Sequence, residues 1–116
     1  MIETTNKTIV LSAKPNTLDF GTVKPGIYVG EILLFNSSDV PMEVLSVTKS
    51  CTCTEIVFPR GKIQPKKSSI LACRFNTSDI EGLHQGQVLV EYIPKKNNIQ
   101  KTQYLLVTIQ ATVSKE

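Results

Sequence analysis

Three cysteines and a single histidine are the residues of this chain with the most distinctive chemistry. Cys51 and Cys53 are separated by one residue, and Cys73 and His84 follow further along the chain. Two thiolates at this spacing can bind a soft ion of low coordination number such as Cu(I). A tetrahedral zinc site would need two more ligands, and no second pair of Cys or His residues has the required spacing. Only Met42, Cys73 or His84 could complete a metal site.

The same cysteines have two other interpretations. A disulfide between Cys51 and Cys53 would close a tight ring that is readily reduced. A disulfide between Cys53 and Cys73 would instead close a loop of about twenty residues and stabilise the fold by about 3 kcal/mol. Because the number of cysteines is odd, at most one disulfide forms within the chain. Alternatively, the thiols are weakly polar packing groups at a corner between strands. Metal binding, a disulfide and simple packing all stay open at this point.

His84 lies in a Gly-Leu-His-Gln-Gly segment that is predicted to be a solvated loop leading into a strand. A Cys–His nucleophile would also need an orienting group and an oxyanion site, and the sequence offers no recognisable arrangement of either. Asp79 and Glu81 are typical turn residues rather than a catalytic carboxylate pair. We therefore expect no enzymatic activity, no cofactor and no small-molecule substrate.

Length and charge restrict the class of protein further. The 116 residues are enough for one domain, and no apolar run approaches the roughly 18 residues of a membrane-spanning helix. The net charge is only +3, and no aromatic residues stand among the basic residues to stack nucleic-acid bases. We expect no nucleic-acid partner, and solvated turns for the basic residues Arg60, Lys62, Lys66, Lys67, Lys95, Lys96 and Lys101.

Apolar residues alternate with polar ones through nearly the whole chain, and Pro, Gly, Asn and Asp interrupt the alternation at short intervals. This pattern is typical of many short antiparallel strands. The predicted strands cover residues 8–12, 18–23, 28–35, 42–48, 54–58, 69–76, 87–93 and 103–113. The last two are expected to pair as a hairpin. Cys73 falls on the apolar face of its strand, which makes it a core residue.

Seven to eight antiparallel strands in about a hundred residues favour an all-β, immunoglobulin-like β-sandwich over a small barrel. The chain contains no tryptophan, so it lacks the Trp and disulfide core of antibody domains. We expect a single domain over residues 1–116, with a core module at about 8–113.

Several short motifs in chain order carry a family resemblance. They are Leu-Asp-Phe-Gly-Thr-Val at 18–23, Pro-Gly at 25–26, Leu-Phe-Asn at 34–36, Pro-Met-Glu-Val at 41–44 and Ser-Cys-Thr-Cys-Thr at 50–54. Over residues 16–113 the chain resembles a family of bacterial Ig-like domains of unknown function with a Ser-Cys-Gly-Cys-Thr loop. That family is similar to Hydin-type (ASH) and major sperm protein modules. The chain departs from the pattern at Thr52, Lys66 and Ala111, where the family usually has glycine.

The resemblance implies an exported bacterial protein in the periplasm or at the cell surface, with its signal peptide outside the given sequence. The expected function is that of a non-enzymatic structural or protein-interaction module with a protein partner that the sequence does not identify. One alternative is a Cu(I)-binding or thiol-redox module that uses Cys51 and Cys53. Another, suggested by the similarity to ASH modules, is a cytoplasmic cytoskeleton-binding module.

Overall fold

The computed structural model describes residues 11–58, 60–95 and 101–115. Within these ranges nine strands form two sheets. No helix of the described chain is long and apolar enough to cross a membrane. The strands are β1 (Leu11–Lys14), β2 (Thr17–Val23), β3 (Ile27–Asn36), β4 (Met42–Lys49), β5 (Thr54–Val57), β6 (Lys62–Ile63), β7 (Ser68–Asn76), β8 (Gly82–Pro94) and β9 (Gln103–Val113).

The two sheets have four and five strands. Their strand orders are β1-β3-β7-β5 and β2-β9-β8-β4-β6. The predicted all-β, Ig-like sandwich is thus confirmed, as is the hairpin of β8 and β9, which pair antiparallel over eleven positions from Gly82 to Tyr92. The first predicted strand lies partly outside the described residues, and its described part begins β1 at Leu11.

Two details of the predicted sandwich are wrong. The structure has nine strands rather than seven to eight, because β6 contains only two residues and leaves no periodic pattern in the sequence. The strands are also not all antiparallel, since β2 runs parallel to β9. The chain leaves the four-stranded sheet after Lys14 and joins the five-stranded sheet at Asn16, whose carbonyl accepts a hydrogen bond from the Thr108 N–H at 2.9 Å. The direction of this pairing follows from a crossover between sheets, which local alternation does not reveal.

The core lies between the inner faces of the two sheets. Because side chains alternate across each strand, every second residue of the central strands points inward. The fully buried apolar side chains of these strands include Ile32, Leu34, Leu71 and Phe75 from one sheet and Val88, Val90, Val107 and Ile109 from the other. Burial of each such side chain favours folding by about 1.5 to 3 kcal/mol.

A buried asparagine fixes the turn after β3. The Asn36 amide donates to the carbonyl oxygens of Val40 and Ile63, both at 2.8 Å. Its side-chain oxygen accepts from the backbone N–H of Ser38 at 2.9 Å and from the Ser38 hydroxyl at 2.6 Å. All four hydrogen-bonding positions of this amide are therefore used, and the residue holds β6 against the end of β3.

Some of the basic residues in turns form ion pairs at the surface. Lys66 lies 3.8 Å from Asp39, and Lys95 lies 2.8 Å from Glu43. The hydrogen bond and positive charge of Lys95 lower the pKa of the Glu43 carboxyl. Lys96 lies outside the described residues. Exposed pairs of this kind contribute little to stability.

Candidate cysteine and histidine site

Cys51 and Cys53 lie in the loop that leads from β4 in one sheet to β5 in the other. The backbone N–H of Ser50 donates to Gln87 O on β8, and the Ser50 hydroxyl accepts from the Gln87 N–H, both at 2.9 Å. On the other side, the carbonyl of Cys53 accepts from the Asn76 N–H on β7 at 2.8 Å. The loop is therefore attached to both sheets at one end of the sandwich.

Gly86 makes room for this loop. It occupies an inward position of β8 and is itself buried. A Cβ atom at this position would lie 3.0 Å from the Thr54 hydroxyl oxygen and 3.6 Å from the Cys51 Cβ. A larger residue would therefore push the cysteine loop away from β8.

His84 lies two residues before Gly86 on β8, so both point to the same inner face of the sheet. Its half-buried ring stacks on Phe75, with 5.3 Å between ring centroids and 17° between planes. Phe75 in turn stacks on Phe20 at 6.0 Å. The prediction that His84 is a solvated loop residue is wrong. Strand β8 begins at Gly82 and carries the histidine into the space between the sheets.

The imidazole faces the cysteine pair directly. His84 Nε2 lies 3.1 Å from the Cys53 Sγ and 3.7 Å from the Cys51 Sγ. The two sulfur atoms and a ring nitrogen all lie within 4.8 Å of one another, and the three residues are half-buried. In this structure Cys51 and Cys53 are joined by a disulfide. The site therefore combines a disulfide with a neighbouring imidazole nitrogen. When the cysteines are reduced, the two sulfur atoms and this nitrogen could together bind a metal ion.

The other two residues considered for the site lie elsewhere. Cys73 is a free thiol buried on β7, and burial raises its pKa to about 11. Because Cys53 is bonded to Cys51, the structure does not contain the alternative Cys53–Cys73 disulfide. Met42 pairs with Pro94 at the far end of β8, ten residues from His84, or about 33 Å along an extended strand. Of the three candidate partners, only His84 joins the cysteine pair.

The cysteine pair can be reached from solvent. Thr52, between the two cysteines, is exposed. Two shallow depressions of about 140 and 220 Å³ border Cys53, one towards Glu55 and Arg74 and the other towards Asp79 and Ile80. A small reductant or a metal ion can therefore approach Cys53 without opening the core.

Comparison with known proteins identifies both the fold and the family. No curated protein sequence matches the chain. Among solved structures, the fold is similar to the ASH/PapD-like domain of human CEP192, with a TM-score of 0.75 and 11% identity over 98% of this chain and 92% of that one. It is also similar to SSP-19, an MSP-domain-like protein of Caenorhabditis elegans (TM-score 0.67, 14% identity, 89% and 100% coverage).

A third similar structure is the YadV chaperone, with a TM-score of 0.63 and 11% identity over 90% of this chain and 51% of that one. At these identities the similarities establish the fold alone. The sequence pattern of one family, described as "Protein of unknown function (DUF1573)", matches residues 11–113, which confirms the resemblance to a domain family of unknown function. The chain therefore belongs to the family described as "Protein of unknown function (DUF1573)".

Proposed function

We propose that this chain is a non-enzymatic protein-interaction module that binds an extended segment of a partner protein along strand β5. The observation that carries the proposal is an apolar surface beside an open sheet edge. Val29 and Val57 are 74% and 71% exposed on the outer face of the four-stranded sheet. Exposed apolar side chains grouped in this way are typical of binding surfaces.

The apolar surface includes a groove. Val29, Val57 and Ala72 line a depression of about 630 Å³ that also contains three charged side chains, those of Glu31, Glu55 and Arg74. The Glu55 carboxylate and the Arg74 guanidinium lie 4.0 Å apart and are both more than half exposed. An extended segment with apolar residues at alternate positions could place its apolar side chains in the groove and its polar groups near the charged side chains.

Strand β5 supplies the hydrogen-bonding edge. In the described part of the chain it pairs with β7 on one side and with no strand on the other. On this outer side the Thr54 N–H and carbonyl are already bonded, to the Cys51 carbonyl and the Lys49 ammonium. An added strand would therefore pair from Ile56 onward, while the groove selects the side chains of that strand. The similar fold of a protein named as a chaperone, YadV, supports a role in binding other polypeptides.

Quantitative capture experiments test this proposal. The chain and its Val29→Asp and Val57→Asp variants would be used to capture proteins from the native source, with Leu106→Asp as the matched control. Leu106 is 52% exposed on the outer face of the other sheet. We expect one partner to be recovered by the parent chain and the control and lost with both valine variants, and a synthetic peptide from that partner to compete.

Equal recovery of every partner by all four proteins would contradict the proposal, as would a recovered partner whose binding peptide does not protect the β5 amides from hydrogen exchange.

We also propose that the protein functions outside the cytoplasm of a bacterium. The disulfide between Cys51 and Cys53 supports this location, since disulfides persist in oxidising compartments and are rare in the cytosol. The alternative, a cytoplasmic cytoskeleton-binding module, would hold all three cysteines as thiols. Thiol trapping distinguishes the two when intact cells are quenched in acid and the protein is unfolded before alkylation: the exported form should have one free thiol per chain, and the cytoplasmic form should have three.

A further inference from the structure

We propose that Cys51, Cys53 and His84 form a three-coordinate Cu(I) site when the cysteines are reduced. This site is separate from the proposed binding surface on β5 and does not depend on it. The proposal starts from the convergence of two sulfur atoms and one imidazole nitrogen within 4.8 Å of one another. Thiolate and imidazole are the donors that a soft monovalent copper ion prefers.

One of the two nitrogen–sulfur distances already matches such a site, and the other is a few tenths of an ångström too short. Metal bonds to sulfur and nitrogen are about 2.0 to 2.3 Å long, so donors around a trigonal ion lie about 3.5 to 4 Å apart. The distances from His84 Nε2 are 3.1 Å to Cys53 Sγ and 3.7 Å to Cys51 Sγ. The main change needed is the separation of the two sulfur atoms after reduction. The half-buried cysteine side chains can make that change by rotating within the loop.

The histidine is held in place by the fold rather than by the metal. Its ring stacks on Phe75, which is fully buried and stacks in turn on Phe20. The backbone of β8 pairs His84 with Ala111 of β9. The nitrogen donor is therefore positioned before any ion binds, which lowers the entropy cost of assembling the site.

The number of donors favours copper over zinc. Among the residues that the structure describes, no fourth His, Cys, Asp or Glu side chain joins this group. Structural zinc sites have four protein ligands, and a zinc ion here would have to take the fourth from solvent. Cu(I) is satisfied by fewer, softer ligands.

The oxidation state of the cysteines determines whether the site can bind Cu(I). In the disulfide each sulfur is bonded to the other, so neither is a thiolate ligand. A dithiol reductant supplies two electrons and two protons, which break the S–S bond and give two thiols while the reductant becomes a disulfide. Binding of one Cu(I) then releases the two thiol protons to solvent. The bound ion, in turn, should slow reoxidation of the pair.

Competition with a chromophoric Cu(I) chelator tests the proposal. The intact chain would be reduced with a phosphine, separated from the reductant without oxygen, and titrated with Cu(I) in the presence of bicinchoninate. We expect one Cu(I) per chain. Loss of an outer-shell partner alone weakens metal affinity about 10 to 100-fold, so Cys51→Ser and Cys53→Ser should weaken it by at least about 100-fold.

One further ligand variant and two controls complete the test. His84→Phe keeps a ring against Phe75 but removes the nitrogen donor, and should weaken Cu(I) binding at least about tenfold. Cys73→Ala and Val57→Asp should bind like the parent chain, and circular dichroism would verify that each variant is folded. Unchanged affinity in His84→Phe, loss of binding in Cys73→Ala, or tighter binding of Zn²⁺ than Cu(I) by the same three residues would overturn the proposal.

Discussion

The pattern of thiol reactivity is a direct consequence of the way the three cysteines are placed. Without reduction, the structure leaves one free thiol, that of Cys73. Cys73 is 3% exposed, and burial raises its pKa from the ordinary value of 9.0 to about 11. At pH 8 its thiolate fraction is therefore about 10⁻³, compared with about 10⁻¹ for an ordinary thiol. Because the thiolate is the reactive form, alkylation should be slowed about 100-fold before steric protection is counted.

Mass spectrometry after timed treatment with iodoacetamide measures this reactivity. Unreduced folded protein should gain one label per chain, slowly, and the label should map to Cys73. Its rate should rise about tenfold per pH unit from pH 8 towards pH 11, because each unit raises the thiolate fraction tenfold while the pH stays below the pKa. After reduction, two further labels should appear rapidly, at Cys51 and Cys53.

The alternative Cys53–Cys73 disulfide makes the opposite prediction. The remaining thiol would then be Cys51, which is half-buried in the loop and accessible from solvent. Rapid labelling of a single thiol at Cys51 in the unreduced protein would refute the arrangement of cysteines described above.

Three further predictions concern the core. Ile109→Asp should unfold the domain, because Ile109 is fully buried between the sheets. Thr108→Asp, on the outer face of β9, should change the free energy of unfolding by only about 0.5 to 1 kcal/mol. Equal destabilisation of the two variants in urea denaturation would show that the inward-facing residues of β9 are assigned wrongly. Asn36→Ala removes four hydrogen bonds, three of them buried, and should lower the free energy of unfolding by about 3 to 4 kcal/mol. Asn76→Ala, at an exposed asparagine with one side-chain bond, should lower it by about 1 kcal/mol, and similar losses for the two variants would contradict the role of the buried amide. The raised pKa of the Cys73 thiol stabilises the folded state below pH 9, and this stabilisation should be lost as the pH rises to about 11. The stability of Cys73→Ala should therefore fall less between pH 9 and pH 11 than that of the parent chain. Identical pH profiles of stability for the parent chain and the variant would contradict this prediction.

Much of the fold could be predicted from the sequence because the alternation of side chains is local. The limits of β9 were predicted correctly, and those of β3, β4 and β7 to within a residue at each end. Alternation does not specify which strands become neighbours. The parallel pairing of β2 with β9 therefore had no signature in the sequence, since it depends on where the chain crosses between sheets.

The cysteine pair was recognisable from its spacing, but its histidine partner was not. Gly82 and Gly86 made the segment around His84 resemble a loop, although inward alternation continued backwards from Val88 would have included both Gly86 and His84. Gly86 was the informative residue, because a glycine at an inward strand position indicates the close approach of another segment. That segment is the loop of Cys51, which is 33 residues away from His84 in sequence.

His84 faces the Cys51 and Cys53 sulfur atoms between the sheets, and this contact can be observed directly in solution. His84 is the only histidine in the sequence, so the imidazole nitrogen resonances in a long-range ¹H–¹⁵N spectrum can be assigned without ambiguity. We predict that the Nε2 resonance shifts when the disulfide is reduced and shifts again when one equivalent of Cu(I) is added. Resonances that stay at the same position in all three states would show that the histidine does not contact the cysteine pair.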